Sequence, residues 1–177
     1  MGGAPLTTGQ DSERLFAAGV TYICCGAWPL AYDCFARSTQ EDAPTRYNLA
    51  LCCFHVGWYE ESHRLLAEAE RLLDDKPGKG SCLGVPSMSR RQPPEAFRRW
   101  ETTSEVSRCP LLPEMTRHDA PVLITRLRAE TVFRLGRYEE LRTTANRPGH
   151  QYQRMQHLMK QIEPRHHVGN YMNSRVT

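Results

Sequence analysis

A chain of 177 residues with 40% hydrophobic content is long enough for one domain with a sizeable core. Its formal net charge of +3 is too mild to imply nucleic acid or an anionic membrane surface, because strong electrostatic binding requires clustered charge. Seven cysteines, an odd set that includes the adjacent pairs Cys24-Cys25 and Cys52-Cys53, lack the spacings of a secreted disulfide scaffold and point to a reducing, cytoplasmic setting.

In chain order, the N-terminal MGGAPL has Leu6 where a myristoylation pattern requires Ser or Thr. The uncharged run from Leu15 to Tyr32 has the look of a signal sequence or short membrane span. However, Asp11 and Glu13 precede it where positive charge is expected, and Pro29 interrupts it. It reads better as two helices, Gly19 and Tyr22 in the first, and Trp28, Ala31 and Phe35 in the second, with Gly26 between them. The next stretch, YNLALCCFHVGWYEESHRLLAEA, repeats the arrangement. Leu49, Cys53 and Val56 share one helical face, Gly57 ends that helix, and a second stripe runs through Leu65, Leu66, Ala69, Leu72 and Leu73. The acidic residues Glu60 and Glu61 suit the positive end of the second helix.

Asp74 to Pro94 is rich in Gly, Pro, Ser and basic residues and predicts an irregular connection. Glu95 to Val106 then predicts an extra helix carrying Ala96, Phe97 and Trp100 on one face. Pro110, Pro113 and Pro121 punctuate the return, with Asp119 placed to cap a third hairpin. The phrase RAETVFRLGRYEEL supplies that hairpin through Ala129, Val132, Gly136 and Tyr138, and Arg147-Pro148-Gly149 cuts its second helix short. A terminal helix is expected over His150 to Ile162, with Tyr152, Met155, Leu158, Met159 and Ile162 along one stripe; residues from Pro164 onward read as a flexible tail.

The spacing resembles the tetratricopeptide repeat (TPR), a helix-turn-helix unit of about 34 residues. Ala43 to Lys76 carries the resemblance best. Tyr47-Asn48-Leu49 opens the first helix, Ala50 is a small contact residue, Gly57 and Tyr59 mark the turn, and Ser62, Leu66 and Ala69 follow at the expected intervals. The resemblance implies an all-α fold: a right-handed superhelical stack of TPR-like hairpins (about 12–42, 43–76 and 122–148), with an extra helix and a C-terminal capping helix. The single domain would span 12–163 with an irregular insertion at 77–121, followed by a tail at 164–177. Small residues at Gly19, Ala31, Ala50, Ser62 and Ala69 would let the helices cross closely, while Arg128 stands where such a repeat usually has a core leucine.

The residues offer little chemistry. Adjacent cysteines on a helix point about 100° apart and cannot close one tetrahedral metal site, so Cys24, Cys25, Cys34, Cys52 and Cys53 read as buried packing residues. His150, His157 and the pair His166-His167 lack the spaced partners of a zinc site. Cys52, Cys53 and His55 share a helical turn but lack an orienting third group, and Gly78, Gly80 and Gly84 lack the strand and helix of a phosphate loop. No catalytic residue, metal or cofactor is therefore expected. Arg90-Arg91 and Arg98-Arg99, interleaved with Phe97 and Trp100, offer the one nucleic-acid reading, and the modest whole-chain charge weighs against it.

What the family resemblance implies is a concave groove lined by the first helices. Position by position this gives Phe16, Val20 and Ile23, then Tyr47, Asn48, Leu51, Phe54 and His55, then Arg126, Glu130 and Arg134. Relatives that clamp a C-terminal carboxylate carry basic and amide groups here. This chain keeps Asn48 but has Phe16 and Val20. The implied ligand is another protein, an extended or helical peptide with apolar anchors, unless the chain covers Phe16, Leu51 and Phe54 with its own Trp100 helix or terminal helix. An adaptor or assembly chaperone follows, similar in size to the class-two chaperones of type III secretion, with no membrane association and with self-association compatible. The competing readings are a scaffold subunit of a larger complex and nucleic-acid binding through 90–99.

Overall fold

The computed structural model describes residues 9–74, 109–115, 119–146 and 152–167. Among them are seven α-helices and no strand: α1 (Gly9–Cys24), α2 (Trp28–Arg37), α3 (Ala43–His55), α4 (Tyr59–Asp74), α5 (Asp119–Arg134), α6 (Tyr138–Ala145) and α7 (Gln153–His167). None of these helices is long and apolar enough to cross a membrane. The expected helix over Glu95 to Val106 and the arginines at 90–99 lie outside the described residues. The terminal helix begins at Gln153 rather than His150 and continues past Pro164, where a tail is expected.

The uncharged run from Leu15 to Tyr32 is divided by a turn at Gly26, and the same turn recurs at Gly57 and Gly136. These three glycines have φ of 72°, 87° and 72°, a left-handed backbone that a Cβ disfavours. Each glycine N–H donates to the carbonyl three residues back: Gly26 to Ile23, Gly57 to Phe54, Gly136 to Phe133. Each following N–H donates to the carbonyl five residues back: Ala27 to Tyr22, Trp58 to Cys53, Arg137 to Val132. This paired closure satisfies the last carbonyls of a helix and turns the chain sharply, so the next helix runs back along the one just ended. Three hairpins result: α1–α2, α3–α4 and α5–α6. Beyond these pairs, α2 packs on α3, α4 and α3 both reach α5, and α7 packs on α5 and α6. The hairpins therefore follow one another in series. Asp42 starts the second, its Oδ1 accepting from Thr45 N–H at 2.9 Å, with Pro44 in the first turn.

Small residues sit where helices cross. Gly19 abuts the Phe35 ring so closely that a Cβ there would come within 2.6 Å of Cζ, and Phe35 is held edge-on by Phe16. Ala31, Ala50, Ser62 and Ala69 are all fully buried. The cysteines divide: Cys34, Cys52 and Cys53 are buried, but Cys24 and Cys25 are exposed, because α1 ends at Cys24 and both stand at its solvent-facing turn. Burial pushes the Cys52 thiol up to about 12 and Cys53 to about 11, so both stay protonated and behave as small apolar groups.

The two joints between hairpins differ in chemistry. At the first, Trp28 stacks on His55 with ring centroids 3.8 Å apart, and Tyr32 meets Trp58 edge-on. The second is polar. Thr131 donates its hydroxyl hydrogen to Leu127 O, leaving the buried Ser62 hydroxyl as the donor across to Thr131 Oγ1. Arg128, in place of a core leucine, is half-buried between Glu70 (2.7 Å) and Glu140 (2.9 Å). Glu140 also receives His63 Nε2 at 3.0 Å, and Arg137 pairs with Glu60 while approaching His63 Nδ1 at 3.4 Å. A guanidinium donor at Nδ1 fixes the imidazole proton on Nε2, where it faces Glu140.

Two outcomes follow for stability. Gly57→Ala forces a Cβ into the left-handed turn and is expected to lower unfolding free energy by about 1–2 kcal/mol in urea titration. Gly9→Ala, with open space around it, serves as the neutral control. Burial raises the Glu140 carboxyl, but hydrogen bonds from His63 and Arg128 outweigh it and hold the group below its ordinary value of 4.5. A depressed folded pKa gives stability that is present above the unfolded value and lost as pH falls through the folded one. Wild type should therefore exceed Glu140→Gln in stability at neutral pH, with the difference shrinking below about pH 4.5.

Candidate functional site

Residues of α1, α3 and α5 share one core with the segment Cys109 to Met115, which is non-helical and closes in a turn where Met115 N–H donates to Leu112 O. Tyr47, Asn48 and Leu51 of α3 are buried in that core. Asn48 holds the segment at the main chain: its Nδ2 donates to Leu111 O and its Oδ1 accepts from Leu111 N–H, both at 2.9 Å. The Tyr47 hydroxyl donates to Cys109 O at 3.3 Å. Leu111 is wholly buried in the core shared by all three of these helices, and Leu112 and Met115 pack against its edge. Burial, with a further contribution from Cys24, pushes the Cys109 thiol up to about 11.

This placement decides the fate of the residues expected to meet a partner. Phe16, Ile23, Tyr47, Asn48, Leu51 and Phe54 are buried within the chain itself. They are covered by packing that includes residues 109–115, not by the terminal helix. His55 is half-buried under Trp28. At the charged end, α7 supplies the cover. Glu130 is completely buried and forms a two-pronged ion pair with Arg154, the Nη2 bond measuring 2.9 Å, while the Arg126 guanidinium lies 4.6 Å over the Tyr152 ring. Such a pair repays its desolvation only through good geometry, and the two-point Arg–carboxylate fork provides it. Arg134 is exposed and Val20 half-exposed. Of the eleven positions, eight are buried, by residues 109–115, by the neighbouring helices and by the region of Tyr152 and Arg154.

What stays open lies beside that segment. A pocket of about 500 Å³ is bounded by Phe16, Ala17 and Val20 on α1, by Gln40 and Asp42 in the α2–α3 connection, and by Leu112 and Pro113. Glu13 and Glu114 stand at its walls. Phe16 and Val20 are the two expected groove residues that it includes. The other lining residues escape sequence reasoning, because Leu112 and Pro113 belong to a stretch that reads as punctuation. The signal that could have found them is Asn48, an amide amid apolar neighbours on one helix, which demands a partner with both a donor and an acceptor. Among the described residues, no group of three or more His, Cys, Asp or Glu is placed to hold a metal ion.

Asn48→Ala would leave the Leu111 N–H and carbonyl buried without partners, and should lower unfolding free energy by roughly 2–3 kcal/mol in denaturant titration. Compared with known proteins, the chain matches no family model, no curated protein and no solved structure.

Proposed function

We propose that this chain is a protein-interaction module of the tetratricopeptide type, an adaptor or assembly chaperone whose hairpins form a right-handed superhelical stack with α7 as its cap. The observation that carries the reading is the capture of a non-helical segment by Asn48 through main-chain hydrogen bonds. Recognition of a backbone donor and acceptor by one side-chain amide is independent of sequence, which supports polypeptide as the ligand. Serial hairpins with small residues at their crossings supply the rigid frame. The role is binding rather than catalysis, in keeping with buried thiols held protonated at Cys52, Cys53 and Cys109.

On this reading a partner docks at the open pocket alongside residues 112–114, using Val20, Ala17 and the edge of Phe16 as apolar contacts. A photo-reactive residue at exposed position 17 should trap a defined partner protein in cells, whereas the same residue at exposed position 67 on α4 should not. Equal labelling from both positions, or none from position 17, would remove the pocket as an interaction site.

A further inference from the structure

The chemistry of the pocket narrows the partner. Among the described residues, its apolar lining is Phe16, Ala17, Val20, Leu112 and Pro113, its charged lining is Glu13, Asp42 and Glu114, and no Lys, Arg or His lines it. This local excess of negative charge occurs on a chain whose net charge is +3, so it is not a consequence of overall acidity. Two basic side chains close to the pocket residues in sequence form ion pairs of their own. Arg14 pairs with Asp11 at 3.9 Å, and Arg46 pairs with Glu41 at 3.8 Å and Glu68 at 3.5 Å. Asp42 Oδ1 accepts from the Thr45 N–H as a helix cap. Carboxylates beside an apolar surface bias the local potential toward negative.

Resting on the interaction reading above, the geometry points to a specific class of ligand: a peptide segment that presents a basic residue, Arg or Lys, immediately beside a large apolar side chain. The apolar group sits on Phe16, Val20 and Leu112, where burial drives association. The cation meets the carboxylates of Glu13, Asp42 and Glu114. A pocket of about 500 Å³ has room for both side chains. An acidic or phosphorylated peptide is rejected by the same three carboxylates.

The test uses the full chain and two fluorescein-labelled hexapeptides that differ only in charge: acetyl-Gly-Leu-Arg-Leu-Lys-Gly and acetyl-Gly-Leu-Glu-Leu-Glu-Gly, titrated by fluorescence polarisation. The basic peptide should bind at least tenfold more tightly than the acidic one. Its affinity should fall about five- to tenfold in the doubly substituted Glu13→Gln, Glu114→Gln chain, and several-fold between 0.05 and 0.5 M salt. Ala17→Trp, which fills the pocket from an exposed helical position, should abolish binding while far-ultraviolet circular dichroism stays unchanged. Equal binding of both peptides, lost in Ala17→Trp, would overturn the charge inference and leave an apolar docking site standing. Failure of the basic peptide to bind wild type at all would also overturn it, while trapping from position 17 decides separately whether the pocket meets a partner. Self-association of wild type that Glu114→Lys disperses would place a second copy in the pocket and overturn a peptide partner of this class.

Discussion

A primary amide cut off from water must find a donor and an acceptor inside the protein, and Asn48 finds both on one residue. It lies in α3 among Tyr47, Leu49, Ala50 and Leu51, all buried. Its side chain points one carbonyl and one amino group at the backbone of Leu111, 63 residues later. Leaving either group unpaired there would cost more than a hydrogen bond normally gains. The pairing therefore fixes where the returning chain crosses the helices and which leucine enters the core. That choice in turn determines which apolar residues of α1 are covered, and which, around Ala17 and Val20, stay open.

The frame on which this happens is made by a local rule repeated. A helix that ends in a glycine of positive φ can bond its last carbonyls to the next two N–H groups and reverse direction within a few residues. Each of Gly26, Gly57 and Gly136 does so with the same pair of bonds. Because the rule is local, it is visible in the sequence, and so are the small residues at the crossings and the stripe on the terminal helix. The exposure of Cys24 and Cys25 was harder to see, since an apolar run gives no sign of which residues fall at its solvent-facing turn.

Features that depend on distant partners were not legible. Arg128 looks like a defect in a repeat, yet it bridges Glu70, 58 residues before it, and Glu140, 12 after it. The ion pair of Glu130 with Arg154 likewise joins positions that no periodicity links, and it removes from the surface a carboxylate that spacing alone would place there. The main departure is the burial of the expected partner-facing residues Phe16, Tyr47, Asn48 and Leu51. Residues Cys109 to Met115 carry prolines and no helical pattern, so they read as a connection, and nothing local distinguishes a connection from a segment of the core. The two joints consequently respond to different conditions. Aromatic stacking holds the first, whereas the second is held by charged groups that salt screens.

Leu111 is wholly buried although it lies outside any helix, and on this account it belongs to the most protected part of the molecule. Native-state hydrogen exchange at the Leu111 amide tests this most directly. Its N–H is donated to the buried Asn48 Oδ1, so it should exchange only through global or near-global unfolding, with protection comparable to the amides at the centre of α3. Exchange of the Leu111 amide at the rate of an unstructured chain, while α3 remains protected, would contradict the account.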